Sequence, residues 1–283
     1  MTTGAAASTT APCISFLSDY GDVDEFAGVC RAVMASIAPG ARVVDITHGI
    51  APHDVRAGGL ALVRAAQYLP EGVLLAVVDP GVGTHRRAVA VEVSRGFLVG
   101  PDNGLLAPTV AMAGGPERVV ELTSAEHRLE APGPSFAGRD IMAPAAAYLA
   151  SGVPITDLGP EIDPAGLVPG ILPVATEEGA EVRAEVLWVD RFGNCQLNID
   201  PDTLRGHGAE PGGRVEIAWG DQRRAVRWVT TYAEARPSEL VMMVDSYGLV
   251  ALVLDRSSAA VECGLGAGSE VTVISPGDTE AGP

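Results

Sequence analysis

Over the first third of the chain, apolar positions alternate between two spacings. Short runs at Cys13–Leu17, Arg42–Ile46 and Val73–Val78 read as buried strands. Between the first two, Phe26, Val29, Cys30, Val33, Met34 and Ile37 recur at helical spacing; Asp24 stands where it could cap this helix and Pro39-Gly40 ends it. Asp54 is placed to cap a second helix that runs to about Tyr68 and stops at Pro70-Glu71-Gly72. This β-α-β-α-β order predicts a parallel sheet with right-handed crossovers. It brings Asp19, Asp45 and Asp79 to or near the C-terminal ends of strands, the edge where open α/β sheets bind ligands.

Ala88–Val93 and Phe97–Val99 read as a hairpin, Pro101-Asp102-Asn103-Gly104 as a turn, and Leu105–Met112 and Ile141–Ala150 as helices. Gly159–Thr176 is rich in Pro and Gly and is the expected linker. Beyond it the spacing changes to two, with strands expected at Val182–Val189, Arg214–Trp219, Arg223–Val229, Leu240–Val244, Leu249–Leu254 and Glu270–Ile274. Gly220-Asp221 has the makings of a two-residue hairpin turn. The expected architecture is therefore an α/β domain with a largely parallel sheet (13–170) and a smaller all-β, barrel-like domain (180–275). Tails at 1–12 and 276–283 are expected to be flexible.

Composition narrows the function classes. A net charge of −17 disfavours nucleic acid, whose phosphates are bound by Lys and Arg, and tolerates a cationic small molecule. Cys13, Cys30, Cys195 and Cys263 are far apart without a CxxC, which points to reduced core thiols rather than zinc or disulfides. No apolar run reaches the roughly 18 residues of a membrane span, and the start of the chain has no basic and apolar leader. The expected compartment is the cytoplasm, with no membrane partner.

The candidate chemistry centres on Val77 to Arg87, where a strand ends in Asp79-Pro80-Gly81-Val82-Gly83-Thr84-His85-Arg86. Glycines there let backbone approach a ligand, and Asp79 and Arg86 bring opposite charges to one rim. The third glycine and following helix of a dinucleotide fingerprint are missing, as are Walker-A, GxSxG and HExxH patterns. His48 and His53 could form a metal pair, although two solvent-facing loop histidines fit the same spacing. Asp190-Arg191-Phe192-Gly193-Asn194 and Asp245-Ser246-Tyr247-Gly248 are either plain turns or acid-and-aromatic sites for a purine and an ammonium.

Seven elements in order resemble one family: Ser18-Asp19-Tyr20-Gly21; Val44-Asp45-Ile46-Thr47-His48; Asp79 to Thr84 with Arg86-Arg87; Pro101-Asp102-Asn103-Gly104-Leu105; Phe136 with Gly138-Arg139-Asp140; Asp190 with Phe192-Gly193-Asn194; and Ser246-Tyr247-Gly248. The family is the S-adenosyl-L-methionine (SAM) hydroxide adenosyltransferases, which form adenosine, with the related fluorinase and chlorinase. The resemblance implies a SAM-binding α/β domain, a C-terminal β domain and a homotrimer with active sites at subunit interfaces. It implies that Asp19 grips the ribose diol, Asp190 the methionine ammonium, and Ser246 with the Tyr247 backbone its carboxylate. Phe192, Asn194, Tyr232 and Ser258 would surround adenine.

It also implies that Asp79 and Arg86 handle a water that attacks the ribose C5′, with SAM as substrate and neither cofactor nor metal. The halogenases carry another residue in place of that aspartate. One departure stands out: the family histidine of this constellation is Ala137 here. Another histidine (His85 or His127 is nearest in sequence) could fill the space, a second water could, or turnover is impaired.

Overall fold

The computed structural model describes residues 12–170 and 172–275, so the expected tails fall outside it except for Pro12. The chain divides into two compact units, one ending at Leu172 and the other starting at Pro173.

The first unit runs β1 (Cys13–Ser18), α1 (Phe26–Ile37), β2 (Arg42–Thr47), α2 (Val55–Ala66), β3 (Gly72–Val77), β4 (Ala88–Val93), β5 (Gly96–Pro101), α3 (Ala107–Met112), β6 (Arg118–Glu121) and α4 (Ala143–Ala150). The sheet order is β2-β1-β3-β5-β4-β6. The first four are parallel, and β4 runs antiparallel to both β5 and β6. Strand alternation sends Ile14, Phe16, Val73, Leu75 and Val77 to one face, where they pack with Ala27, Cys30 and Met34 of α1 and the alanines of α4. α2 packs with α3 and against β1 and β3. Gly58 lets α2 come close: a Cβ there would lie 2.9 Å from Val78 Cγ2. Helices on both faces and a strand order reversing at β1 make a doubly wound sheet, with its switch point beside the C-terminal ends of β1 and β3.

The second unit runs β7 (Thr176–Glu178), β8 (Glu181–Val189), β9 (Cys195–Leu197), α5 (Pro201–Gly206), β10 (Arg214–Trp219), β11 (Gln222–Trp228), β12 (Leu240–Val244), β13 (Val250–Leu254), α6 (Ala259–Cys263) and β14 (Glu270–Ile274). β8, β9, β13, β12, β11, β10 and β14 pair in a ring that closes through β14–β8, a seven-stranded barrel with β7 hairpinned outside it. Closure leaves no free barrel edge, and Val186, Leu197, Ile217, Trp228, Met242, Leu252 and Val273 fill the interior. The two-residue Gly220-Asp221 turn joins Trp219 to Gln222 as expected.

Several local expectations are corrected. Asp24 does not cap α1: Glu25 holds that position and makes no side-chain bond. Asp54 does cap α2, accepting from Ala57 N at 2.9 Å. Asp45 is near the end of β2 as expected, where it is tied to Arg31 and His48. A wide π-turn, Gly138–Met142, leads into α4, so the helix expected from Ile141 begins later. The start of the expected linker is bound to the first sheet. Glu121 N bonds Pro160 O and Ile162 N bonds Val119 O, while Asp102 Oδ1 accepts from Val168 N. β6 and β9 were too short to stand out from apolar spacing.

Candidate functional site

A cleft of about 360 Å³ opens at the switch point of the first unit. Asp19 and Tyr20 follow β1, His53 precedes α2, Asp79 and Val82 follow β3, and Ser135 to Gly138 form the wall ahead of α4. The sheet brings the first groups together. Ser18 pairs in register with Val77, Asp19 N donates to Val77 O at 3.3 Å, and Gly21 N to His48 O at 2.8 Å.

Asp79 and Arg86 form a two-pronged ion pair, with Arg86 Nε on Asp79 Oδ1 at 2.6 Å and Arg86 Nη2 on Oδ2. Only 7% of the aspartate side chain and 14% of the arginine's is exposed, so the charges are held in a water-poor setting where such a fork is strong and directional. The local sequence shapes the pair. The chain turns back through Val82 N to Asp79 O and Thr84 N to Gly81 O, and Gly83 takes φ 77°. The Arg86 stem folds over Gly81, where a Cβ would lie 3.0 Å from Arg86 Cγ. Arg87 points away and clamps Asp102 through Nε at 2.9 Å and Nη2 at 2.5 Å. Asn103 Nδ2 secures the end of β3 by donating to Val78 O at 2.9 Å.

Across the cleft, Asp19 Oδ2 accepts the backbone N–H of His53 at 2.9 Å. His53 has φ 70°, a left-handed conformation uncommon outside glycine and often found where a loop is held for binding. Ala137 lines the same cleft and is buried. Neither His85 nor His127 stands on this wall: His127 is tied to Ser124 Oγ at 2.9 Å and packs edge-on against Tyr148. The histidine that does line the cleft is His53. His48, read as one of two solvent-facing loop histidines, is buried: Nδ1 meets Ser18 Oγ at 2.7 Å and Nε2 meets Asp45 Oδ1 at 3.1 Å. Among the described residues no group of three or more His, Cys, Asp or Glu is arranged to hold a metal ion.

The second unit carries a separate depression of about 530 Å³ lined by Phe192, Asn194, Tyr232, Leu254, Arg256, Ser257 and Ser258. Four of the expected adenine-site residues thus share one surface. Asn194 Nδ2 bridges Asp190 Oδ2 at 2.7 Å and the Tyr232 hydroxyl at 3.2 Å. Burial and then the carboxylates of Asp190 and Asp245 push the Tyr232 phenol up. Ser258 caps α6 through Val261 N, and Gly193 presses on it: a Cβ on Gly193 would lie 2.0 Å from Ser258 Oγ.

Asp190 and Asp245 build matching turns. Each Oδ1 accepts the N–H two and four residues on, at 2.8 and 2.9 Å for Phe192 and Asn194, and at 2.8 and 3.1 Å for Tyr247 and Leu249. Each turn has a glycine of positive φ, Gly193 (83°) and Gly248 (82°), and each displays an aromatic residue to solvent. Ser246 is exposed in the second turn.

The family model of the SAM hydroxide adenosyltransferase N-terminal domain matches residues 14–159, and that of the C-terminal domain matches residues 184–272. The chain belongs to the SAM hydroxide adenosyltransferase family. It is 44% identical to the (R)-S-adenosyl-L-methionine hydrolase of Salinispora tropica, across 93% of this chain and 97% of that one. A fluorinase from an Actinoplanes species is 28% identical over 93% of this chain and 97% of its own. Among solved structures, an uncharacterized conserved protein from Thermotoga maritima superposes with a TM-score of 0.86 at 30% identity, covering 92% of this chain and 99% of that one.

Proposed function

We propose that the chain hydrolyses SAM to adenosine and L-methionine. The observation that carries this reading is the buried Asp79–Arg86 fork at the rim of the switch-point cleft. Water attacks the ribose C5′ in line with the departing sulfur. The new O–C5′ bond forms as the C5′–S bond breaks, its electron pair neutralises the sulfonium as methionine, and the water's proton passes to solvent. The chain's part is to place the water and exclude competing solvent. Each Asp79 oxygen keeps a lone pair beyond its Arg86 bond with which to accept a water hydrogen. Asp19, Asp24 and Asp79 outnumber the cleft's one paired arginine, which suits a cationic substrate.

Substrate recognition follows the expectations drawn from the sequence. Asp19 has one oxygen committed to His53 and one left for the ribose diol. In the second unit Phe192, Asn194, Tyr232 and Ser258 would receive adenine, Asp190 the ammonium, and Ser246 with the Tyr247 backbone the carboxylate. The exposed aromatics Phe192, Tyr232 and Tyr247 support a homotrimer with active sites at subunit interfaces, which light scattering would test. The sulfonium is its own leaving group, so the reading calls for no cofactor or metal. Four free, buried thiols support a cytoplasmic setting.

Incubation with SAM in halide-free buffer is expected to release adenosine and methionine in equal amounts, read by chromatography. Persistence of SAM that calorimetry shows to be bound would overturn the activity. Ala137 favours a second reading, a SAM-binding protein with little turnover. A large rate gain in Ala137→His would mark the absent imidazole as limiting and support it. A SAM-dependent halogenase is disfavoured because the Asp79 carboxylate would repel a halide. A halide-dependent 5′-halo product would revive it.

A further inference from the structure

Of the polar groups lining the cleft, Asp79 is engaged by Arg86 and Asp19 by the His53 amide, and the side chains of Asp24, His53 and Ser135 are exposed. Tyr20 differs. Only its backbone N–H is bonded, to Ser18 Oγ at 3.3 Å, and among the described residues its hydroxyl has no hydrogen-bond partner. The ring nevertheless has no freedom to wander. Phe26 and Phe136 flank it with ring centroids 5.8 and 5.5 Å away, and they pack edge-on against each other at 5.1 Å. Arg139 lies over the far ring, 4.9 Å from the Phe136 centroid. A fixed ring with a free hydroxyl is a preorganised polar group awaiting a partner.

The place that hydroxyl occupies is defined by a glycine. A Cβ on Gly138 would lie 2.0 Å from Tyr20 Oη and 3.1 Å from Cζ, so any side chain there would evict the oxygen and spare most of the ring. Gly138 follows Ala137 on the wall facing Asp79. Burial, then the Cys30 thiol and the carboxylates of Asp19 and Asp79, push the phenol up, so it stays protonated and uncharged at neutral pH.

We propose that the Tyr20 hydroxyl is a catalytic group of this cleft, holding the attacking water jointly with Asp79 along the wall where Ala137 offers no polar atom. The inference rests on the hydrolase reading above. One water hydrogen is donated to Asp79 and the other to the Tyr20 oxygen, which leaves a water lone pair directed at C5′. Tyr20 neither gains nor loses a proton; its contribution is to the angle of approach.

The test is steady-state SAM hydrolysis by the full chain and by Tyr20→Phe, Gly138→Ala and the double variant, with thermal melting to verify folding. Tyr20→Phe should lower kcat about 10–100-fold with KM within about 2-fold, as for a contact made in the transition state. Gly138→Ala keeps the tyrosine but displaces its hydroxyl, and should lower kcat comparably. The double variant should be no worse than Tyr20→Phe, because the added methyl has no hydroxyl left to displace. A purely structural role for Tyr20 predicts instead a lower melting temperature and a raised KM beside any fall in kcat. Unchanged kcat in Tyr20→Phe, or additive losses in the double variant, would overturn the proposal while leaving hydrolysis in place. Absence of adenosine from the wild type would overturn the hydrolase reading, and this inference with it.

Discussion

The switch-point cleft and the barrel turns use aspartate in opposite ways. In the cleft, Asp79 is held by a side chain, Arg86, so both its oxygens are fixed while the backbone around it stays free to shape the turn. In the barrel, Asp190 and Asp245 spend one oxygen on two backbone amides of their own turns, and so serve first as architecture. An acid of the first kind is placed to act on a reacting atom. Acids of the second kind give rigid platforms that display neighbours: Phe192 and Asn194 in one turn, Ser246 and Tyr247 in the other. On the proposed function, the first unit handles the reacting water and holds the ribose through Asp19, while the second unit receives adenine and the methionine end.

Breaking the ion pair should have the largest effect. Asp79→Ala is expected to lower kcat about 10²–10⁴-fold, read as adenosine release at saturating SAM. It also strands Arg86, largely shielded from water, so a lower melting temperature should accompany the loss. In the barrel, Gly193→Ala puts a methyl against Ser258 at a backbone φ of 83° and should cost about 1–3 kcal/mol of stability, visible in denaturant unfolding. Because the damage is to a recognition platform, KM should rise more than kcat falls. If kcat alone fell, the division between the two regions would be wrong.

The smallest effect concerns the support beneath Tyr232. Arg227 clasps Glu239 through two bonds of 2.7 Å and also donates to Glu234 O; its guanidinium, with the Arg236 amide, holds the Glu239 carboxyl at about 2. A carboxyl lowered on folding contributes stability that is full above its ordinary value of 4.5 and is lost as pH falls toward about 2. Stability measured across that window should decline in the wild type and decline less in Glu239→Gln.

The sheet was legible from sequence because its inner strands β1, β3, β4 and β5 are buried on both faces and α1 and α2 each carry one apolar stripe. Those are strong periodic signals, and they placed Asp19 and Asp79 at one edge. Asp45 also stands near a strand end, two residues before the last of β2, but it pairs with Arg31 and His48 rather than lining the cleft. Barrel strands β10 and β14 alternate cleanly and β12 and β13 are continuous apolar runs, whereas β9, with only Cys195–Leu197, has no room for a pattern. The two units divide at Leu172 and Pro173, within the expected linker, and Gly159 shows why its start is nevertheless bound to the sheet. A glycine that reads as flexibility in sequence marks a close approach in space, since a Cβ there would lie 1.9 Å from Glu121 O. His53 and Tyr20 were missed as cleft groups for a related reason. Their roles come from a strained loop and an aromatic clamp assembled from Phe26 and Phe136, and neither leaves a local signature.

The central claim is that water, positioned by Asp79, is the nucleophile at C5′. Turnover of SAM in heavy-oxygen water, followed by mass spectrometry of the nucleoside, tests it most directly. The account predicts that adenosine carries the heavy oxygen in its 5′ hydroxyl and that Asp79→Ala forms little of it. Unlabelled adenosine, or a halogenated nucleoside in its place when halide is supplied, would contradict it.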